Sequence, residues 1–348
     1  MLTEKSKGLF FEVSEFSVLA AITSGLDAPF TVESLQESPH DSNADKVRDF
    51  VAGLSDDKSR GYIHGHCGIY PKSRFVRRTT LDSPNKAKEP NYFTDLLNDQ
   101  FRIDPSKYLT TIVNAYDGTD FDLEKGVQNQ KELVLCGAQS TELSEQQEMI
   151  VDYGVYPERL ELGTLTSLGG LINYANFKSI TMPTLVLEIT SSNSNVFIIN
   201  NEKIDVTRPI PFGLNGMFPV IQKELDLKDE ESAKKLFYSD TFDFTEMGPA
   251  LLNKMLKELQ SSTGFYEVQT GQMIGQIFLT LLPKNLSWIH QTLSRSLGME
   301  VLHLDYPSWL QAQNISVSED VQLEDLDSRW LSLFSLMGNY SNSEDGAN

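Results

Sequence analysis

Gly8-Leu9-Phe10-Phe11-Glu12-Val13-Ser14-Glu15-Phe16-Ser17-Val18-Leu19 sets an apolar run, a short polar break and a second apolar run in succession. The arrangement returns at Thr184-Leu185-Val186-Leu187-Glu188-Ile189-Thr190-Ser191-Ser192-Asn193-Ser194-Asn195-Val196-Phe197-Ile198-Ile199. Two apolar runs joined by Ser, Thr and Asn are the signature of a β-hairpin, with its tip available to a ligand. One copy in each half of the chain predicts an internally duplicated architecture, with hairpins over 8–23 and 184–208.

Around these hairpins the chain alternates strand and helix signals. Val47, Phe50, Val51 and Leu54 share one face of a short helix. Residues 62–70 and 75–81 read as strands, 84–90 as a loop, and Phe93, Leu96, Leu97 and Phe101 sit at helical spacing. These pieces predict a small α+β insert at about 60–130, ending in the acidic loop Asp117-Gly118-Thr119-Asp120. A strand over 132–138 leads into a helix rich in early glutamates, Glu142, Glu145 and Glu148, which suits the positive end of the helix dipole. Gly154 is placed to cap it, a connecting strand covers 155–162, and a helix follows over about 164–176. In the second half, helices are predicted around 216–226, 229–237 and 245–261. An apolar strand at 274–282, a helix over 286–297 stopped by Gly298, and a strand at 301–304 make a βαβ unit and hence parallel pairing. The fold class is α/β.

Composition narrows the function. The chain has 348 residues, 40% apolar and 22% charged, enough for two domains with cores of their own. Its net charge of −20 disfavours phosphate backbones and anionic headgroups, so no nucleic-acid partner is expected; a salt-adapted source accounts for the acidity equally well. Two cysteines, Cys67 and Cys136, make no disulfide framework and fit a reducing compartment. No signal-like apolar core follows Met1–Lys7, and no run of about eighteen apolar residues occurs. The expected location is cytoplasmic, without direct membrane insertion. No phosphate-binding P-loop, Gly-x-Gly-x-x-Gly, His-Glu-x-x-His or Gly-x-Ser-x-Gly is present; Gly169-Gly170 falls inside a helix and suits close helix packing.

In order and spacing the chain resembles the PilM family, the actin-like cytoplasmic component of type IV pilus machines. Arg208-Pro209-Ile210-Pro211-Phe212-Gly213 is similar to the family's Arg-x-Ile-Pro-(Phe/Tyr)-Gly. The acidic helix from Asp229 to Leu236 and the stretch Gly264-Phe265-Tyr266-Glu267-Val268-Gln269-Thr270-Gly271 follow it in the family's order. Tyr153-Gly154-Val155-Tyr156-Pro157 and Ile69-Tyr70-Pro71-Lys72-Ser73 have first-half counterparts. The resemblance covers roughly 8–338. It implies a duplicated actin-like (ribonuclease H-like) two-lobe α/β fold. The first lobe would span 1–183 with the insert, the second 184–310, and a C-terminal segment 311–348 would carry a helix packing back on the first lobe and a polar tail.

Departures from the actin-like pattern shape the expected chemistry. The first hairpin's Asp, Gly and Lys positions read Phe10, Glu12 and Ser17; the second hairpin's Asp-x-Gly reads Glu188-Ile189-Thr190; the adenosine Gly-Gly falls at Leu281-Leu282. Asp organises metal and water in such sites, and Gly lets backbone amides approach phosphate. The expectation is a non-catalytic scaffold with no cofactor, no catalytic residues and no metal site. By resemblance it would bind a cytoplasmic segment of a PilN-like inner-membrane protein near the junction of the first lobe and the insert. Other pilus or secretion platform components would join it, and the chain would be held peripherally at the inner membrane. Tyr70, Arg74 and Phe75 are the expected contacts. A diverged ATPase using Glu188 with ATP and magnesium is the alternative. The cytoplasmic part of a type II secretion platform protein, which shares the fold, is a third.

Three further features have competing readings. His64-Gly65-His66-Cys67 on a strand sends the two histidines to one face and the cysteine to the other, which favours a structural strand over a metal site. Arg74, Arg77 and Arg78 form either a salt-bridged edge or a patch for an acidic segment or peptide backbone. Leu323, Leu326, Trp330, Leu333, Phe334 and Met337 make a helical stripe, either free for a partner or packed on the first lobe.

Overall fold

The computed structural model describes residues 7–27, 29–40, 44–54, 61–81, 85–115, 121, 131–201, 203–239 and 241–338. The acidic loop at 117–120 and the tail from 339 onward lie outside them. The chain divides into two compact units. The first holds residues up to 177 with 305–326 and those from 330 on; the second holds 178–304 with 327–329.

The first unit opens with the meander β1 (Gly8–Val13), β2 (Ser17–Thr23) and β3 (Thr31–Pro39). Every residue of β1 and β2 is buried, which is why both read as continuous apolar runs: each face of the sheet is covered. On one face, Leu9, Phe11, Val18 and Ala20 pack with Val47 and Val51 of α1 (Ala44–Ala52), the helix expected there. β4 (Ile63–Ile69) then runs parallel to β1, setting Leu9 beside Gly65 and Val13 beside Ile69.

β5 (Phe75–Thr80), β6 (Tyr108–Asn114) and β7 (Glu132–Gln139) form a separate antiparallel sheet with β7 in the middle. Between β5 and β6, α2 (Tyr92–Asp95) continues through a π-type turn over Leu96–Gln100. Phe75, Leu97, Ile103 and Leu135 bury together to seat this helical segment on the sheet. The sequence reading drew the insert at about 60–130. In the fold, β4 belongs to the main sheet and β7 to the insert, because alternation marks a strand but not its partner. β6 was not foreseen, although Thr110-Thr111-Ile112-Val113 is a β-branched run of the kind that favours strands. α3 (Ser140–Asp152) ends at Gly154, whose φ of 94° supplies the left-handed residue that closes a helix. β8 (Val155–Leu162), parallel to β4, leads into α4 (Gly163–Lys178).

The second unit begins with its own meander, β9 (Thr184–Ile189), β10 (Ser194–Asn200) and β11 (Lys203–Ile210). Helices α5 (Phe218–Glu224), α6 (Glu230–Phe237), α7 (Gly248–Leu251) and α8 (Asn253–Thr270) follow. β12 (Gln276–Thr280) pairs parallel with β9, α9 (Ser287–Leu297) stops at Gly298 with φ 68°, and β13 (Glu300–Val301) pairs parallel with β12. The expected βαβ unit is present.

The chain then returns to the first unit with α10 (Tyr306–Ala312), β14 (Ser316–Val317) on the edge of β3, and α11 (Trp330–Leu336). All seven residues of α11 are buried, and it packs on β1, β2 and β4. The stripe beginning at Leu323 is helical only from Trp330, and its apolar face is spent inside the unit.

Duplication is explicit in the topology. The first sheet runs β14-β3-β2-β1-β4-β8 and the second β11-β10-β9-β12-β13. Each has an antiparallel meander whose first strand pairs parallel with a later strand, itself parallel to the next.

Candidate functional site

The two hairpin tips close on themselves. In the first unit, Ser14 N donates to Ser17 O at 2.9 Å, while Phe16 N and Ser17 N donate to Ser14 Oγ at 3.3 and 3.1 Å. In the second, Thr190 N donates to Asn193 O at 2.9 Å and Asn193 N to Thr190 Oγ1 at 3.2 Å. These backbone amides are engaged by their own turns.

The strand ends beside the tips are filled. Phe10 is fully buried and packs edge-on against His66, with ring centroids 5.4 Å apart. Glu12 and Ser17 are buried. Glu188 accepts a hydrogen bond from Asn195 Nδ2 at 3.0 Å. Leu281 and Leu282, just past β12, are buried too, and Leu281 holds a left-handed backbone, φ 58°. Leu281 thus carries a buried side chain on backbone geometry suited to glycine.

The Arg-Pro-Ile-Pro-Phe-Gly stretch has a local reason. A Cβ on Gly213 would lie 2.5 Å from Thr190 O and 2.6 Å from Asn193 N, so only glycine lets the chain pass under the second tip. Ser194 Oγ donates to Phe212 O at 2.7 Å, and Arg208 forms an ion pair with Glu258 of α8. The motif buttresses the hairpin.

At the base of the insert, the three expected contact residues do structural jobs. Tyr70 is 8% exposed, and its ring covers Gly163, where a Cβ would come within 2.2 Å of it. Arg74 sits 5.3 Å from that ring's centroid and donates from Nε to Thr164 Oγ1 at 2.9 Å and from a terminal nitrogen to Pro71 O at 2.8 Å. Phe75 is 4% exposed, in the insert's core against Tyr108. Two of the three are therefore interior: Tyr70 follows the end of β4 and packs on Gly163, and Phe75 begins β5 in the core of the insert.

Sequence reasoning missed the partner of the Pro71-Lys72-Ser73 turn. The Glu142 carboxylate, in the first turn of α3, accepts the backbone N–H groups of Lys72 and Ser73 and the Ser73 hydroxyl. Burial would raise the Glu142 carboxyl, but the Ser73 and Lys72 hydrogen bonds and the Arg74 charge hold it below the usual range. Gln139 N completes the joint by donating to Ser73 Oγ at 3.0 Å. Its only sequence signal was a glutamate early in a helix, which the dipole already explained.

The remaining candidates separate. His64 Nδ1 lies 2.9 Å from Glu158, while burial pushes the Cys67 thiol up to about 12. Among the described residues no group of His, Cys, Asp and Glu is arranged to hold a metal. Arg78 pairs with Glu132, and Arg77 donates to Val76 O at 2.9 Å. No helix among the described residues is long and apolar enough to cross a membrane.

No family model and no curated protein matches the sequence. Among solved structures, the chain is similar to a chain of a PilM-PilN type IV pilus biogenesis complex. The TM-score is 0.68 at 14% identity, covering 96% of this chain and 98% of that one. A Bacteroides thetaiotaomicron protein described as having an actin-like ATPase fold and unknown function aligns at TM-score 0.46 and 11% identity, over 97% and 98% of the two chains. The cytoplasmic domain of EpsL, an inner-membrane component of the Vibrio cholerae type II secretion system, aligns at 0.41 and 8%, over 95% and 93%. The two lower scores carry no argument, and at 14% identity the first shows fold alone. That fold is the duplicated actin-like α/β fold with a small insert.

Proposed function

We propose that the chain is a non-catalytic, PilM-like scaffold of a type IV pilus or related secretion platform, binding a cytoplasmic segment of a PilN-like inner-membrane protein. The observation that carries it is the closure of both hairpin tips onto their own side chains and backbone, with Leu281 and Leu282 buried beyond β12. Phe10 in the first hairpin and Leu281 and Leu282 beyond β12 are buried apolar side chains at positions where the resemblance expects Asp or Gly, which supports a fold kept without nucleotide. The similarity to a chain of the PilM-PilN complex supports the choice of partner.

Thermal melts test the absence of a cofactor. A ligand at a hundred times its dissociation constant stabilises a fold by about 2.7 kcal/mol. Magnesium-ATP at millimolar concentration is expected to leave the melting temperature unchanged; a concentration-dependent rise would favour the diverged ATPase using Glu188. The partner role is tested by recovery of inner-membrane proteins on the intact chain and on one whose residues 75–138 are replaced by a short Gly-Ser linker. Loss of a single-span membrane protein from the second, with its circular dichroism otherwise intact, is the expected result. Recovery of no membrane protein by the intact chain counts against the scaffold.

A further inference from the structure

Helix α8 has two faces. Met255, Leu256, Leu259, Ser262, Thr263 and Tyr266 are buried in the second unit. Lys254, Lys257, Ser261, Gly264, Phe265 and Val268, at offsets of 0, 3, 7, 10, 11 and 14, share the other face. Its C-terminal half is apolar yet open to water: Phe265 is 65% exposed and Val268 86%. The apolar surface continues past the end of the helix. The Glu267 carboxylate accepts Ile274 N at 3.2 Å, which ties the next segment to the last turn and brings in Met273, 77% exposed. Met182, also more than half exposed, lies against Gly275.

Gly264 has no reason within its own chain. A Cβ there would meet nothing within 4 Å, and its backbone is not among those with positive φ. Glycine weakens a helix interior more than any residue but proline. What its smallness does provide is room for a second surface to come close. Charge indicates which surface. The segment 259–275 carries one charged residue, Glu267, whereas the whole chain carries −20. Copies of so acidic a chain repel one another over most of their surface, and this face sets almost no carboxylate against its own copy.

We propose that two copies of this chain associate through α8, antiparallel about a two-fold axis that passes near Gly264. Such a pairing is self-complementary, as a two-fold interface must be. Lys257 and Gly271 lie seven residues to either side of Gly264, so Lys257 of one copy falls opposite Gly271 of the other, and Lys254 opposite Ile274. Both cations then reach the C-terminal end of the facing helix, where unpaired carbonyls form the negative pole. Their aliphatic stems cover Met273, and Phe265 enters the space beside Gly264. Met182 and Met273 extend the face beyond the helix toward the about 1,200–2,000 Å² that a stable dimer buries.

Sedimentation equilibrium of the full chain tests the pairing, with a reversible monomer–dimer equilibrium as the expected result. Phe265→Glu combined with Val268→Glu should weaken the dimer about thirtyfold or more, the loss expected of a central aromatic anchor. Gly264→Leu, which favours the helix but fills the gap, should weaken it at least tenfold with an unchanged circular dichroism spectrum. Lys254→Glu with Lys257→Glu should do the same. Under mild oxidation Gly264→Cys should form a covalent dimer and Lys254→Cys should not; the chain's own Cys67 and Cys136 are buried. A chain that stays monomeric at submillimolar concentration overturns the proposal, as does a dimer indifferent to the Phe265, Gly264 and Lys254 variants. A monomer that binds phosphatidylglycerol vesicles, and loses them with Phe265→Glu, makes the face a lipid contact and overturns it too.

Discussion

Glu142 ties the turn that launches the insert to the helix that follows it, and its worth depends on its charge. A carboxylate whose folded pKa is depressed contributes stability above its unfolded value and loses it as pH falls. Here the contribution is complete above about 4.5 and disappears as pH drops through the lowered folded value. Glu142→Gln keeps the shape and removes the charge. It should cost about 1 kcal/mol at neutral pH, a value discounted for partial exposure. In urea titrations the gap between variant and parent should close as pH falls from about 4.5 through the lowered folded value; a gap independent of pH would assign the effect to shape. Leu281 poses the opposite problem, a buried side chain on a left-handed backbone that disfavours any residue but glycine by about 1–2 kcal/mol. Leu281→Gly and Leu279→Gly each remove a side chain no more than 2% exposed. The first should be less destabilising by about 1 kcal/mol, since it alone relieves backbone strain. Equal losses in urea would deny the strain.

α11 shows how far an apolar pattern reaches at the scale of an element. The spacing from Leu323 to Met337 was compatible with one long helix, yet helix forms only over Trp330–Leu336. The pattern did state that a face must be buried; it could not state against what. In the fold, Ser332 Oγ lies 2.6 Å from Thr166 Oγ1, and Gly170 of α4 passes close beneath Ser335 and Leu331. Of the Gly-Gly inside α4, Gly170 is the packing device and Gly169 has nothing within 4 Å; the partners of Gly170 lie on α11, far along the chain. Phe334, 1% exposed and 5.2 Å from the Tyr306 ring, anchors the contact. Phe334→Ala should cost about 3–5 kcal/mol in urea denaturation; a loss below 1 kcal/mol would mean that the helix is not part of the cooperative core.

At the scale of the whole molecule, charge acts without regard to contacts. With a net −20, the folded chain carries self-repulsion that salt relieves as the screening length falls from about 30 Å at 0.01 M to about 3 Å at 1 M. The melting temperature should rise with sodium chloride over that range, by about 2–4 °C for each kcal/mol of repulsion removed; a fall would place net-favourable ion pairs above repulsion. What the sequence by itself determined is local and periodic: two hairpins, the helices and their glycine stops, and the βαβ order. These follow from alternation, turn chemistry and backbone sterics, which act over a few residues. Only the tertiary structure decided that β4 joins β1, that β7 centres the insert, that Glu142 reaches back to Ser73, and that Tyr70 and Phe75 are interior. Each is a pairing between segments distant in the chain, chosen by which surfaces can be buried together, and no local pattern encodes that choice.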